Sequence, residues 1–389
     1  MSILSTLVII VLSLFALYSF ISLGTVYLLA VNTDNLDKHC SGIVRPDDTD
    51  NPLVSVIIPC RNESDGIRQC IASVLEQSYR SIEIIVVDGN SDDGTWEIIG
   101  EFGDRIQAIR EEEKPEGWTG KNWAAYLGYK RSRGSILLFL DGDMVLGRDA
   151  VLRSMDSMQT ERIDLLSLGP EMEMKSFWER LILPLFAQFI MLLYMPPLMN
   201  RDRGRRSMAN GQFLMCRREA YEKSGTHEAI KTKIVEDVNL SRKFRENGYR
   251  IRFYWASQYL RTRMYRDLGE MWEGLVRDIQ GETGRRYHLY LLNMLYIIFT
   301  FYFPVWAVIY FSVAGNVLLT LIAAVSIVFV LLRMLVFQVG TGSPNWLALI
   351  FPFSTTIYLA MVAAAFARAL TGTPVVWKKR HYPMSYVRK

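Results

Sequence analysis

Ser135-Ile136-Leu137-Leu138-Phe139-Leu140-Asp141-Gly142-Asp143 is the stretch that decides how this chain folds. An unbroken apolar run that ends on two carboxylates around a glycine reads as a strand buried on both faces. Its carboxyl end opens into a polar loop. Two runs of the same kind precede it, Leu53 to Pro59 (LVSVIIP) and Ile82 to Asp88 (IEIIVVD). Between them, Gly66 to Gln77 places Ile67, Ile71, Val74 and Leu75 on one helical face, and Thr95 to Phe102 is helical. Apolar strand, helix, apolar strand predicts an α/β fold with a mostly parallel sheet covered on both faces. Ligands of such sheets bind beyond the carboxyl ends of the strands.

Polar residues gather at those ends: Pro59-Cys60-Arg61-Asn62-Glu63, then Asp88-Gly89-Asn90-Ser91-Asp92-Asp93-Gly94-Thr95, then Asp141-Gly142-Asp143. One acidic turn is ordinary, but three in succession, each closing a buried strand, mark a ligand site. Asp141 and Asp143 point the same way, and Gly142 lets a diphosphate approach. Hard divalent cations prefer oxygen ligands and are often shared between carboxylate and phosphate. Such an ion neutralises a departing diphosphate. The Asp-x-Asp pattern is common by chance, and the LLFL run ahead of it adds weight. Asp88 has two readings, a nucleotide ligand or a turn residue, and Asp92 or Asp93 would serve as the turn residue equally well. Lys121, in Gly117-Trp118-Thr119-Gly120-Lys121-Asn122, is either a point charge for the diphosphate or a solubilising lysine. Gly211, in Asn210-Gly211-Gln212-Phe213-Leu214, suggests close approach of backbone to ligand. Val235-Glu236-Asp237-Val238 opens a helix, Asn239 to Asn247, that stops at Gly248. Acids at a helix start are explained by capping. The sharper reading makes Asp237 a general base that takes a proton from an attacking acceptor.

Charge divides the chain into three. No charged residue precedes Asp34, and no Asp or Glu follows His288. Seven of the 44 Lys and Arg lie after His288, so the rest of the chain carries 37 against 40 acids. The overall +4 therefore comes from the tail and does not point to nucleic acid. A basic tail after apolar segments reads as cytoplasmic or headgroup-facing. Ile3 to Val31 is long enough to cross a bilayer. It lacks the basic start and small-residue cleavage site of a signal peptide, so residues 1–31 are read as an uncleaved anchor. Residues 32–288 form the soluble domain. Residues 289–389 hold two to three spans: two within Leu289 to Leu332, turning at Ala314-Gly315-Asn316, and a candidate third from Trp346 to Ala367. A further apolar stretch, 177–199, is read as an interfacial helix or a pair broken around Pro184 and Pro196-Pro197. As a crossing helix it would separate Asp143 from Asp237. Arg201, Arg203, Arg205 and Arg206 would then meet headgroups. The protein is thus expected in the plasma membrane with its soluble domain facing the cytoplasm. Three C-terminal spans would put the basic tail outside, so either one of them is re-entrant or the positive-inside trend fails. Cys40, Cys60, Cys70 and Cys216 have neither zinc nor disulfide spacing, and the four histidines are scattered.

With the strand–NES, VVDGNSDDGT, LDGD and VEDVNL in this order, Leu53 to Tyr254 resembles glycosyltransferase family 2, which has the GT-A fold. The resemblance implies an inverting transfer from a nucleotide-sugar donor, usually a UDP-sugar, with Mg2+ or Mn2+ as cofactor. It implies that Asp88 and Asp141 contact the nucleotide, that Asp143 holds the metal and that Asp237 is the base. Pro59, Arg61, Glu63, Lys121, Gly142, Gly211 and Glu236 complete the expected substrate site. GWTGKNWA, NGQFLMCRREAY, MYRDLGEMWEG and VVWKKRHY look like membrane glycosyltransferases acting on isoprenoid lipids and, more distantly, ceramide glucosyltransferase. That likeness implies a lipid acceptor. Two departures stand out. Asp88-Gly89 replaces the usual Asp-Asp. The Gln-x-x-Arg-Trp of processive polysaccharide synthases, the alternative function, has only Gln280 to Tyr287 near it, wrongly spaced and without tryptophan. Arg285 and Arg286 there are either diphosphate contacts or headgroup anchors.

Overall fold

The computed structural model describes residues 3–31, 34–45, 50–202, 207–383 and 386, leaving Arg203, Arg205 and Arg206 outside the described residues. The strands in chain order are β1 Val54–Cys60, β2 Ile82–Asp88, β3 Gln107–Arg110, β4 Ile136–Leu140, β5 Met144–Leu146, β6 Leu165–Gly169, β7 Glu171–Met172, β8 Phe213–Arg217, β9 Ile251–Trp255, β10 Leu260–Thr262, β11 Val375–Trp377 and β12 Arg380–Tyr382. Seven of them form one sheet in the order β3-β2-β1-β4-β8-β6-β9. All its pairings are parallel except the two made by β8. Strand order reverses between β1 and β4, which is where a crevice opens in doubly wound sheets. The register pairs Cys60 with Asp88 and Ile57 with Phe139, so the three acidic loops emerge level with one another. A small sheet, β5-β10-β7, lies beside them.

Alternate side chains of each strand enter opposite cores. Val54, Val56, Ile58, Val86 and Leu138 pack with the helices Ile67–Leu75 and Ala150–Thr160. Ile57, Ile85, Val87, Leu137 and Phe139 pack against Ala124, Ala125, Leu240 and Phe244. Both faces being dry, the strands show runs of apolar residues rather than alternation. Helix Gly120–Arg131 lies so close to β1 that a Cβ on Gly128 would sit 2.5 Å from Ile57 Cγ2.

Among the described residues, five helical segments are long and apolar enough to cross a membrane: Thr6–Val31, Phe177–Tyr194, Tyr287–Val313, Val317–Gly340 and Asn345–Thr371. Their outward faces carry exposed large apolar side chains, among them Leu14, Phe20, Leu295, Trp306 and Leu321. A continuous face of that kind fits lipid, not water. Segment Phe177–Tyr194 is one helix that continues through Pro184 and ends at Met195, which is left-handed at φ 47°. Ser176 and Glu179 form its capping box, and Glu179 also accepts from Arg263 at 3.0 Å. Leu181, Ile182, Leu183 and Leu185 pack it into the C-terminal helices. Arg333, in the helix Val317–Gly340, is buried among the apolar helices, where its Nη1 donates to Ser22 Oγ at 2.7 Å and its guanidinium lies 4.8 Å from the Phe301 ring centre.

The last helix, Phe351–Thr371, runs back along helix Tyr287–Ile297. Tyr302 bonds Thr356 at 2.6 Å, the Phe366 ring lies 5.5 Å from that of Tyr290, and Arg368 pairs with Glu273 at 2.7 Å. The chain therefore leaves the helix cluster on the side where it entered, next to the α/β domain.

Candidate active site

The site is built on loops that brace one another. Asn62, left-handed at φ 52°, receives Asp92 N–H on its side-chain oxygen at 3.1 Å, and its Nδ2 donates to Asp92 Oδ1 at 2.9 Å. The N–H of Glu63 donates to Thr95 Oγ1 and that of Ser64 to Asp93 Oδ2. Asp93 also receives Thr95 N–H at 3.0 Å, a side-chain turn just ahead of the helix Thr95–Gly100. These bonds hold the β1 and β2 loops at a fixed separation. Asp88 lies behind them: it is fully buried, accepts the Ser91 N–H at 3.2 Å, and does not reach the cavity wall.

The β4 loop and the start of helix Glu236–Glu246 meet through Lys121. Its Nζ lies 2.6 Å from Asp141 and 2.7 Å from Glu236. Thr119 caps helix Gly120–Arg131 and so fixes Lys121 in its first turn. Burial disfavours the charge on Lys121, but the two carboxylates outweigh it and raise its pKa. Asp237 receives the N–H of Gly211 on one oxygen at 2.8 Å and that of Val238 on the other at 2.7 Å. Gly211 passes close to both acids: a Cβ there would lie 2.9 Å from Glu236 Oε1 and 3.3 Å from Asp237 Cβ. Asp143 accepts from Thr262 Oγ1 at 3.0 Å, a bond that ties it to β10. Gly66 passes so near that a Cβ would stand 3.1 Å from Asp143 Cα.

Negative charge is crowded here. Burial first, and Glu236 second, push Asp237 up to about 7. Burial raises Asp141 to about 6 against the pull of Lys121, raises Glu63 to about 7, and raises Asp143. Carboxylates held above their ordinary range, with few cations among them, suit a divalent ion. Among the described residues no group of three or more His, Cys, Asp or Glu side chains is placed to enclose a metal by itself. The oxygen donor Asp143 thus fits a hard cation that takes further ligands from phosphate.

A cavity of about 2590 Å3 is lined by Pro59, Arg61, Glu63, Lys121, Asp141, Gly142, Asp143, Gly211, Glu236 and Asp237. It continues past Arg242, Arg277 and Arg286 to Phe186, Phe189, Leu292, Tyr296 and Phe337 of the apolar helices. Arg286 is on its wall; Arg285 is exposed and off it. The sequence reading did not single out Arg242, which lies 3.8 Å from Glu282, or Arg277, which pairs with Asp278 at 2.9 Å. Nor did it find Tyr194, which lines the cavity.

The sequence leaves two positions for the basic tail, cytoplasmic or headgroup-facing. Beyond Thr371 it folds as the hairpin β11–β12 and lies on the loops just described. Arg61 Nε donates to the Lys378 carbonyl at 3.1 Å, Lys379 pairs with Asp92 at 2.7 Å, and Arg380 pairs with Glu111 at 3.0 Å. Carboxylates within reach outcompete the water and headgroups that an isolated basic tail would meet.

The family model "Glycosyl transferase family 2" matches residues 55–225, the stretch that carries all three acidic loops. Residues 55–225 are thus similar to a glycosyltransferase family 2 domain. The 4,4'-diaponeurosporenoate glycosyltransferase of Staphylococcus haemolyticus is 26% identical over 251 residues, covering 63% of this chain and 66% of the relative. Glycosyltransferase AglE of Haloferax volcanii is 35% identical over 120 residues, 30% of this chain and 38% of its own. The matches thus span less than two thirds of these relatives' lengths. Among solved structures, the mannosyltransferase PcManGT of Pyrobaculum calidifontis, in complex with GDP-Man and Mn2+, superposes with a TM-score of 0.51 at 18% identity, covering 92% of this chain and 99% of that one. The α/β domain therefore has the GT-A fold.

Proposed function

We propose that this protein is a glycosyltransferase that moves a sugar, with inversion, from a nucleotide-sugar donor to a lipid acceptor whose tail stays in the membrane. The observation that carries the proposal is the single cavity joining Asp141, Asp143 and Asp237 to the apolar helices. A soluble acceptor needs no such passage. The relative named for diaponeurosporenoate acts, by its name, on an acceptor of lipid character, and the solved neighbour holds a nucleotide sugar and Mn2+. A UDP-sugar is the donor class that the resemblance to glycosyltransferase family 2 implies.

In this reading Asp237 is the base. Two backbone N–H groups aim its carboxylate, and a pKa of about 7 lets it accept a proton near neutrality and hold it. Lys121 keeps Asp141 and Glu236 together and limits how far their mutual repulsion raises Asp237. Glu63 and the β1 loop wall the donor side. Asp143 would hold Mg2+ or Mn2+, which supplies neutralising charge to the departing diphosphate. The anchor 1–31, catalytic domain 32–288 and membrane region 289–389 then sit in the plasma membrane, with the catalytic domain on the cytoplasmic side where nucleotide sugars are made.

Ala187 lines the cavity at its apolar end. Ala187→Trp should slow transfer to lipid by about tenfold through overpacking while leaving nucleoside diphosphate binding unchanged. Unchanged transfer would exclude this passage as the acceptor route.

A further inference from the structure

The hairpin β11–β12 lies on three donor-side loops at once. From Lys378, Nζ reaches Glu63 at 3.1 Å and the Asn62 carbonyl at 2.9 Å, both in the β1 loop. Arg380 donates to the Gly89 carbonyl of the β2 loop at 3.0 Å. The hydroxyl of Tyr382 receives the N–H of Gly120, at the start of the helix that carries Lys121, at 2.9 Å. Contact with Arg380 is so close that a Cβ on Gly120 would stand 2.3 Å from its Nη1. Val375 and Tyr382, paired with each other at the open end of the hairpin, are buried.

Its turn is costly. Lys378 and Lys379 have φ of 47° and 64°, left-handed values that favour glycine or asparagine in a two-residue hairpin. A lysine pair keeps that conformation only where the surroundings hold it, and such positions gather at ligand clamps. The two lysines differ in aspect. Lys379 is 68% exposed on Asp92, outside the cavity, whereas Lys378 is 31% exposed and lines the cavity. The charge of Lys378 also acts on Asp143, the candidate metal ligand.

Charge balance gives Lys378 a task. Glu63, Asp141, Asp143, Glu236 and Asp237 line the cavity with Arg61, Lys121 and Lys378 among them, and Arg61 already donates to the Lys378 and Asn90 carbonyls. Lys121 is already shared by Asp141 and Glu236. A diphosphate entering beside Asp143 meets repulsion that one divalent ion only partly offsets. A flexible ammonium group that can leave a neighbouring carboxylate supplies the remaining positive charge.

We propose that this hairpin is the closing wall of the donor site, that Lys378 Nζ binds the donor diphosphate by exchanging Glu63 for it, and that Arg380 and Tyr382 position the hairpin on the nucleotide loops. This rests on the nucleotide-sugar reading above. The donor site would then be completed by residues beyond the last apolar helix, so the membrane region takes part in donor binding as well as in anchoring.

The test uses the full chain in lipid nanodiscs with Mn2+, titrated with UDP, UMP, GDP and GMP. For whichever base the wild type accepts, the readout is the ratio of diphosphate to monophosphate affinity. Lys378→Met should reduce that ratio by about 10- to 100-fold, the worth of a charged hydrogen bond. Lys378→Arg should restore most of it, and Lys379→Met, which alters the same turn, should leave it unchanged. An unchanged ratio in Lys378→Met, whether binding is full or equally weakened for both nucleotides, would overturn the assignment and leave the hairpin a brace. A wild type that binds neither diphosphate would instead refute the nucleotide-sugar reading on which this rests.

Discussion

Lys121→Met is the perturbation whose consequences the structure fixes best. Lys121 lies 2.6 Å from Asp141 and 2.7 Å from Glu236, with Asp237 next in sequence. Removing one partner of a buried ion pair costs about 3–5 kcal/mol, because the other charges stay behind unpaired. The three side chains keep 13–25% of their exposure, so water offsets part of this and the lower end, about 3 kcal/mol, applies. For a domain of this size that lowers the thermal midpoint by about 6–12 °C. The second consequence concerns protons. Burial holds Asp237 at about 7 and Asp141 at about 6, and Lys121 pulls both downward. A base works only when deprotonated, so wild-type transfer should fall as pH drops below about 7. Loss of Lys121 removes the downward pull, raises both carboxylates, and moves this acid limb up by about one unit. On the limb, each unit is about tenfold in rate. The assay is transfer rate against pH from 5.5 to about 9, with thermal unfolding of the same samples. An acid limb and midpoint that both stay in place would refute the claim that Lys121 sets the charge balance of the site.

Chelation by EDTA should stop turnover, and Mn2+ or Mg2+ should restore it; full activity in EDTA would remove the ion from Asp143. Gly211→Ala should lower kcat by tenfold or more with little change in donor KM, since the new Cβ meets Glu236 and Asp237 rather than the donor loops. An unchanged kcat would show that the backbone near Gly211 yields without moving the base.

The parts of this molecule that were legible in the sequence are those whose surroundings repeat. β1, β2 and β4 are dry on both faces, so their apolar runs announced a parallel sheet, and the acidic loops after them followed. The turn at Ala314-Gly315-Asn316 was readable because Gly315 takes a left-handed φ of 69° there. Asp88 was harder. The same carboxylate in the same loop serves as ligand or turn brace, and only its bonds to Ser91 show how it is held here. Of the breaks that the alternative reading placed around Pro184 and Pro196-Pro197, the helix runs through the first, where Leu181, Leu183 and Leu185 pack it past the missing hydrogen bond, and stops at Met195 before the second. The hairpin was not legible at all. Its strands have three residues each, its turn is made of lysines rather than asparagine and glycine, and its partners lie as many as 317 positions away. Arg242 and Arg277 were invisible for a related reason: an arginine on an amphipathic helix looks the same whether it faces a headgroup or a cavity.

The central claim is that the cavity brings a membrane lipid to a sugar donor. Membranes containing the protein, offered radiolabelled nucleotide sugars with Mn2+ and then partitioned between organic and aqueous phases, test it most directly. The account predicts label in the organic phase, lost in Asp237→Asn. Label in an aqueous or insoluble polymer would contradict it and establish a processive synthase instead.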